Sequence, residues 1–347
     1  MKQNEYILVT GGAGYIGSHT VVELIQSGKT PVIVDDFRNA DPKILKGIEK
    51  IVEQSVICHQ IDVCDLQAMQ AIFEKFNFEG IIHFAAYKAV GESVEEPLKY
   101  YDNNLRGLLV CLTLAAQFEV KNFLFSSSCT VYGEPENSPV VTEESPVLEA
   151  SSPYGATKQM CERILTDLCN SGADIKVLNL RYFNPIGAHS SSLIGEQPSG
   201  RPNNLLPYVT QTALGILEEL TVYGNDYNTV DGTCVRDYIH VSDLADAHVK
   251  GLNWLTQQAG SLNEVLNVGT GKGSSVLEII HTFEKVSNLQ LNWKFGERRA
   301  GDVEQIYADA TKAKKLLNWS TKRNIEDGVR DAWNWEQKWR NETTDNS

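Results

Sequence analysis

Three glycines spaced three residues apart, Gly11, Gly14 and Gly17, follow directly on the short run Tyr6–Thr10 and open a stretch with apolar residues at Ile16, Val21, Leu24 and Ile25. A strand that turns through such a loop into an amphipathic helix is completed by a second strand parallel to the first, because the crossover returns the chain to the starting end of the sheet. The first half of the chain repeats that unit. Short apolar runs at 31–35, 56–60, 81–84, 123–127 and 175–180 alternate with helical patterns near 14–26, 65–76, 97–118 and 153–170. This rhythm predicts an α/β fold built on a doubly wound parallel sheet with helices on both faces.

After about Asn184 the rhythm breaks, and Gly, Pro, Asn and Ser cluster through HSSSLIGEQPSGRPNN (189–204), a composition that predicts loop. Beyond it the patterns predict helices over 204–219, 242–256 and 276–286. A chain of 347 residues suits about two domains. The expected division is a Rossmann-type nucleotide-binding domain over 1–183 and a smaller α/β substrate-binding domain over 184–347, with the segment near 236–260 able to pack back on the first. The last residues, ETTDNS (342–347), read as a frayed tail.

Composition excludes several classes of function. The apolar, charge-free run 107–118 falls far short of the ~18 residues that suggest a membrane span. MKQNEYILVTGG has no leader architecture, so a cytoplasmic protein is expected. Seven cysteines form no CxxC pair and seven histidines no HExxH, which argues for a reducing compartment and against a protein-bound metal. The formal charge of −14 disfavours nucleic acid and anionic membrane as partners.

Context gives the glycine loop its meaning. Backbone at Gly11, Gly14 and Gly17 can approach a pyrophosphate closely at the positive end of the following helix. Asp35 falls at the end of the second strand, eighteen residues after Gly17, where a carboxylate meets the ribose hydroxyls of an adenosine. Asp36 beside it repels a 2′-phosphate, so the expected cofactor is NAD. Arg38 dissents, since a guanidinium there suits that phosphate.

Two further segments point to chemistry. SSSCTVYG (126–133) carries its serines to the C-terminal end of a strand, the edge where ligands bind in open α/β sheets. In SPYGATK (152–158), Ser152 reads as an N-cap and Pro153 as the first helical residue, so Tyr154 and Lys158 share one helix face. The ammonium is then expected near the phenol, lowering its pKa towards working pH. One of the serines Ser126, Ser127 and Ser128 can hydrogen-bond the same substrate oxygen that Tyr154 deprotonates. The set describes a site that moves a hydride on and off a carbon bearing a hydroxyl.

TGGAGYIG (10–17), SSSCTVYG and YGATK together resemble the extended short-chain dehydrogenase/reductase family. FAAYKAVGES (84–93), YYDNNLRG (100–107), LRYFNPIGAH (180–189), PNNLLPYV (202–209), GTCVRDYIHVSDLADAHV (232–249) and RRAGDV (298–303) are similar to the branch that epimerises UDP-hexoses at C4, over essentially the whole chain. The resemblance implies Ser128, Tyr154 and Lys158 as the catalytic set, and a homodimer in which helix 97–118 is the most apolar candidate for the interface. It places Tyr15, Ile16, Asp35, Asp36, Phe37, Asn39, Asp62, Val63, Phe84, Ala85, Ala86, Lys88, Asn103 and Phe183 around NAD. Asn184, Asn204, Leu205, Arg236, Arg299 and Asp302 would hold the UDP-sugar beside Ser128 and Tyr154, with Val222 and Tyr223 as a wall for uracil and Ile306 as a gate near the sugar C2 substituent. Arginines suit a diphosphate by charge and fork geometry, though Arg236 also has acidic neighbours with which it could simply pair.

The activity implied is the interconversion of UDP-galactose and UDP-glucose through a 4-keto sugar, in galactose metabolism. Nucleotide-sugar 4,6-dehydratases carry an Asp-Glu pair where this chain has Cys129 and Thr130, which argues against dehydration. Another NAD-dependent UDP-sugar epimerase or a UDP-glucuronate decarboxylase stays open. A non-catalytic NAD-binding regulator has against it the presence of both Tyr154 and Lys158.

Overall fold

The computed structural model describes residues 6–135, 138–198, 200–299 and 302–344, with side chains as far as Asn341. Strand β1 (Tyr6–Thr10) runs through the glycine loop into α1 (Tyr15–Gln26), and β2 (Thr30–Asp35), α2 (Lys43–Val52), β3 (Ile57–Gln60), α3 (Leu66–Lys75) and β4 (Phe78–His83) continue the alternation. Next come α4 (Val90–Glu95), α5 (Pro97–Gln117), β5 (Asn122–Ser126), a 3-10 turn at Cys129–Tyr132, β6 (Val140–Val141), α6 (Pro153–Asn170) and β7 (Lys176–Tyr182). The second half holds β8 (Asn184–Ile186), α7 (Leu205–Ala213), β9 (Leu220–Tyr223), β10 (Val235–His240), α8 (Val241–Thr256), β11 (Leu262–Val268) and β12 (Gly273–Ser275). It closes with α9 (Val276–Ser287), β13 (Trp293–Gly296), β14 (Gln305–Ala308), α10 (Thr311–Leu317) and α11 (Ile325–Thr344).

The main sheet has seven strands in the order β3-β2-β1-β4-β5-β7-β11, all pairs parallel. Strand alternation divides its side chains between two cores. Ile7, Val9, Ile82, Leu124 and Leu178 pack with α1, α2, α8 and α11, while Leu8, Val32, Ile81, Phe123 and Val177 pack with α3, α5 and α6. The strand order reverses between β1 and β4, and such a switch opens a crevice at the carboxyl ends of the strands. This is the doubly wound Rossmann-type sheet expected from the sequence.

The sheet also takes β11 and its covering helix α8 from beyond residue 184. Asp243 on α8 ties the chain's end to it: the buried carboxylate accepts from the backbone of Lys322 and Arg323 and from the Arg323 guanidinium. A second sheet joins β12, β10, β14 and β6, with β8 on β10 and a separate β9-β13 pair nearby in sequence. The helix expected over 204–219 stops at Ala213, because Gly215 takes a left-handed φ of +71° and turns the chain towards β9. The tail differs too: α11 runs through Thr344, and only 345–347 of the expected frayed segment lie outside the described residues.

Candidate active site

Gly11 has a φ of +69°, and a Cβ there would lie 2.8 Å from the Ala85 backbone nitrogen. At Gly17 a Cβ would meet the Gly11 carbonyl at 2.2 Å. The chain is therefore drawn tight under α1, whose N-cap Gly14 supplies no side-chain bond and leaves first-turn N–H groups free. Asp35 braces this loop by accepting from the Ala13 N–H (3.0 Å) and the Phe37 N–H (2.9 Å), and burial raises its pKa above the usual carboxylate value. These groups suit a dinucleotide: a backbone cradle for pyrophosphate and a carboxylate for ribose.

A cavity of about 440 Å³ opens on this loop. Gly11, Gly14, Tyr15, Ile16, Gly17, Asp35, Asp36 and Asn39 line one end, with Val63, Phe84, Ala85, Ala86, Lys88 and Asn103 beside them. Tyr154, Lys158 and Asn204 line it as well. Phe37, Asp62 and Phe183 stand back from the lining. Phe37 turns through a φ of +62°, Asp62 receives the Arg38 guanidinium, and Phe183 is buried with Val131, Tyr132 and Ile306. Arg38 itself lines the cavity and is bound to Asp36 (2.7 Å), Asp62 and the Tyr87 hydroxyl (3.1 Å), so its charge is already neutralised.

The catalytic candidates stand where β5 and α6 meet. Ser152 caps α6 through the Gly155 N–H at 3.2 Å, with Pro153 in the first turn, as the sequence predicts. Lys158 Nζ donates to the Ser126 carbonyl at 2.7 Å and lies 4.8 Å from the Phe125 ring centroid and 5.9 Å from that of Tyr154. Ser128 Oγ accepts from the N–H and hydroxyl of Thr130 at 3.2 and 3.0 Å. The electrostatics differ from the expected lowering of the Tyr154 pKa. Burial pushes this phenol well above its ordinary value, Tyr182 adds to the rise, and the Ser128 hydroxyl opposes it. Burial also brings Lys158 down to about 8, against Cys161 and Glu162. In the chain alone, burial sets the direction for both groups.

Behind the serines lies a charge pair that the sequence reading missed. Glu162 accepts from Ser127 Oγ (2.5 Å) and from Arg181 (2.9 and 2.6 Å), and the guanidinium stacks 4.8 Å from the Tyr132 ring centroid. An arginine inside the apolar strand LNLRY was the available signal, since such a residue needs a buried counter-ion. Other lining residues were also missed: Tyr182, Glu196, Arg201 and Trp339. Three of these lie in segments read only as loop or overlooked as helix.

The remaining substrate candidates form a second group. Arg236 pairs with Asp302 at 3.9 Å, while its acidic neighbour Asp237 is engaged by Thr270, Gly271 and Ala308. Arg299 also binds Asp302, at 2.7 Å, and lies 5.7 Å from the Tyr223 ring centroid. Ala300 and Gly301 of the same stretch lie outside the described residues. Ile306 is in register with Arg236 across β14 and β10 and is buried beside Cys129 and Phe183. Asn184 pairs with Tyr238, and Leu205 opens α7 next to Asn204. Val222 faces the apolar core with Leu206 and Phe283, so the strand's alternation leaves only Tyr223 half-exposed. None of Asn184, Leu205, Val222, Tyr223, Arg236, Arg299, Asp302, Ile306 or Ser128 lines the cavity itself. Among the described residues there is no cluster of acidic, histidine or cysteine side chains fit to hold a metal, and no helix is long and apolar enough to cross a membrane.

Comparison with known proteins places this geometry. The family described as GDP-mannose 4,6 dehydratase matches residues 8–332. A UDP-glucose 4-epimerase of Bacillus subtilis is 50% identical over 330 residues, covering 95% of this chain and 96% of the relative. The structure of a UDP-glucose 4-epimerase from Stenotrophomonas maltophila, with bound NAD and formylated UDP-arabinopyranose, superposes with a TM-score of 0.94 at 43% identity, covering 97% of this chain and 99% of that one. One from Bifidobacterium longum, in complex with NAD+ and UDP, gives 0.93 at 45% identity over 97% and 99%. With its switch-point crevice, Tyr154–Lys158 pair and full-length likeness to these enzymes, the chain belongs to the extended short-chain dehydrogenase/reductase family described as GDP-mannose 4,6 dehydratase, and within it to the UDP-glucose 4-epimerases.

Proposed function

We propose that this chain interconverts UDP-galactose and UDP-glucose through a 4-keto sugar, using NAD. The observation that carries the reading is that Tyr154 and Lys158 line the same cavity as the glycine loop. NAD+, when bound, accepts a hydride and later returns it, and its positive ring adds to the cationic field of the site. The residues do the rest. Tyr154 takes the proton from the C4 hydroxyl as hydride leaves that carbon, and gives it back after the keto sugar has turned its other face. Ser128 orients the same oxygen. Lys158, held by the Ser126 carbonyl, supplies the positive charge that a buried phenolate needs.

Arg236, Arg299, Asp302, Asn184, Asn204 and Leu205 hold the UDP-sugar in this reading, with Tyr223 beside uracil. Firm hold on UDP leaves the hexose free to turn. Cys129 and Thr130 offer no carboxylate to draw water from C5 and C6, which supports epimerisation over dehydration. The division at residue 184 is functional: the cofactor is held before it and the nucleotide sugar mainly after it. The working form is a cytoplasmic homodimer, two copies pairing on α5, where Leu98 and Leu109 are exposed. The test is conversion of UDP-galactose to UDP-glucose by the purified protein with no added nucleotide. Release of CO2 from UDP-glucuronate without that conversion would replace this reading by decarboxylation.

A further inference from the structure

Asn204 occupies the N-cap of α7, with the extended backbone of a capping residue (φ −87°, ψ 147°), yet its side chain makes no cap bond. An asparagine in that position ordinarily accepts from a first-turn N–H, worth ~1 kcal/mol to the helix. Here its amide nitrogen donates to Glu196 Oε1 at 2.6 Å. A carboxylate only accepts, so this bond fixes which way the carboxamide faces. The same Glu196 oxygen binds Lys88 Nζ at 3.2 Å, and the Glu196 carbonyl accepts from Trp335 Nε1 at 3.1 Å. The Glu196 side chain is 12% exposed and lines the cavity. Across it, Lys88 lies 5.9 Å from the ring centroid of Tyr15, at the start of α1, and the Tyr15 hydroxyl donates to the Gly187 carbonyl.

We infer that Glu196 is a positioning residue that sets the cofactor side of the cleft and the nucleotide-sugar side together. One carboxylate aims Asn204 away from its cap and towards the cleft while holding the Lys88 ammonium, and Trp335 of α11 fixes the backbone that carries it. This inference rests on the proposed roles of Lys88 towards NAD and Asn204 towards the UDP-sugar.

Two variants of the holoenzyme separate the arms. Glu196→Ala loses both bonds; Glu196→Gln still accepts from Asn204 but carries no charge for Lys88. Calorimetric titration with UDP and the nucleotide retained after gel filtration are the readouts, and neither requires turnover. Glu196→Ala is expected to weaken UDP binding about tenfold, the size of a lost hydrogen bond to a charged group, and to shed NAD faster. Glu196→Gln is expected to keep UDP affinity within about threefold while still shedding NAD, because its acceptor remains and its charge does not. A purely structural role would move both readouts in parallel with the melting temperature in both variants, and that result, or both readouts within about twofold of wild type, the range of a marginal hydrogen bond, overturns the inference. Failure of the wild-type chain to convert UDP-galactose would count against the functional reading and leave these binding measurements standing.

Discussion

Replacing Lys158 by Met should make the protein more stable and catalytically silent. The ammonium is buried, and burial lowers its pKa from 10.5 to about 8. A depression of that size corresponds to ~3 kcal/mol against the charged form in the folded chain. Met fills a similar volume without charge, but it leaves the Ser126 carbonyl without its donor at 2.7 Å, a loss of ~1 kcal/mol. The net expectation is a gain of ~2 kcal/mol at pH 7. The sign follows from proton counting. Between about pH 8 and 10.5 the unfolded chain holds this proton and the folded chain has released it, so wild-type stability rises with pH and the variant's advantage fades. Below pH 8 both states are protonated and the full penalty remains. Urea unfolding of both proteins from pH 6.5 to 10, with nucleotide content equalised so that ligand linkage does not intrude, measures the difference. A variant less stable than wild type at pH 7, or a difference that does not shrink as pH rises, would refute the reasoning.

Other substitutions test separate parts of the site. Tyr154→Phe removes the proton carrier alone, so kcat should fall by ~10³-fold or more while calorimetric UDP affinity stays within ~2-fold; retained turnover would take Tyr154 out of the mechanism. With Ile306 as the proposed gate near the sugar C2 substituent, wild-type enzyme should prefer UDP-galactose to UDP-GalNAc, and Ile306→Ala should raise the relative kcat/KM for UDP-GalNAc by ~10-fold or more at a cost of ~2–4 kcal/mol in stability. Comparable wild-type turnover of the two sugars would sink that role. Arg236→Met should weaken UDP binding by ~30-fold or more with little change in melting temperature, since the guanidinium's partner Asp302 keeps Arg299; unchanged affinity would return Arg236 to a structural ion pair.

Much of the nucleotide-binding half was legible because each strand and helix carries its own period and its own punctuation. Gly11 and Gly17 could be read as obligatory glycines from their place between β1 and α1, and Ser152-Pro153 announced the start of α6. The β11 strand was not legible, because its partner β7 lies some eighty residues earlier in the chain and LNEVLNV lacks clean alternation. Helix α11 was missed because its tryptophans look like an irregular polar tail until Trp335 and Trp339 are seen packed in the core that holds α1 and α2. In the site, Tyr154, Lys158 and the glycines share short motifs and line one cavity, whereas the pairings of Glu162 with Arg181 and Glu196 with Lys88 depend on contacts across the fold. The direction of the Tyr154 pKa was missed for a related reason: sequence spacing shows a nearby charge but not how deeply the phenol is buried.

The most direct test of the central claim follows the hydrogen at C4. Purified protein is given UDP-galactose carrying deuterium on C4, in ordinary water and with no added nucleotide, and the product is read by NMR. The account predicts UDP-glucose with the deuterium still on C4, because hydride leaves and returns within one closed site while only the hydroxyl proton passes through Tyr154. Product in which that deuterium has been replaced by solvent hydrogen, or no UDP-glucose at all, would contradict it.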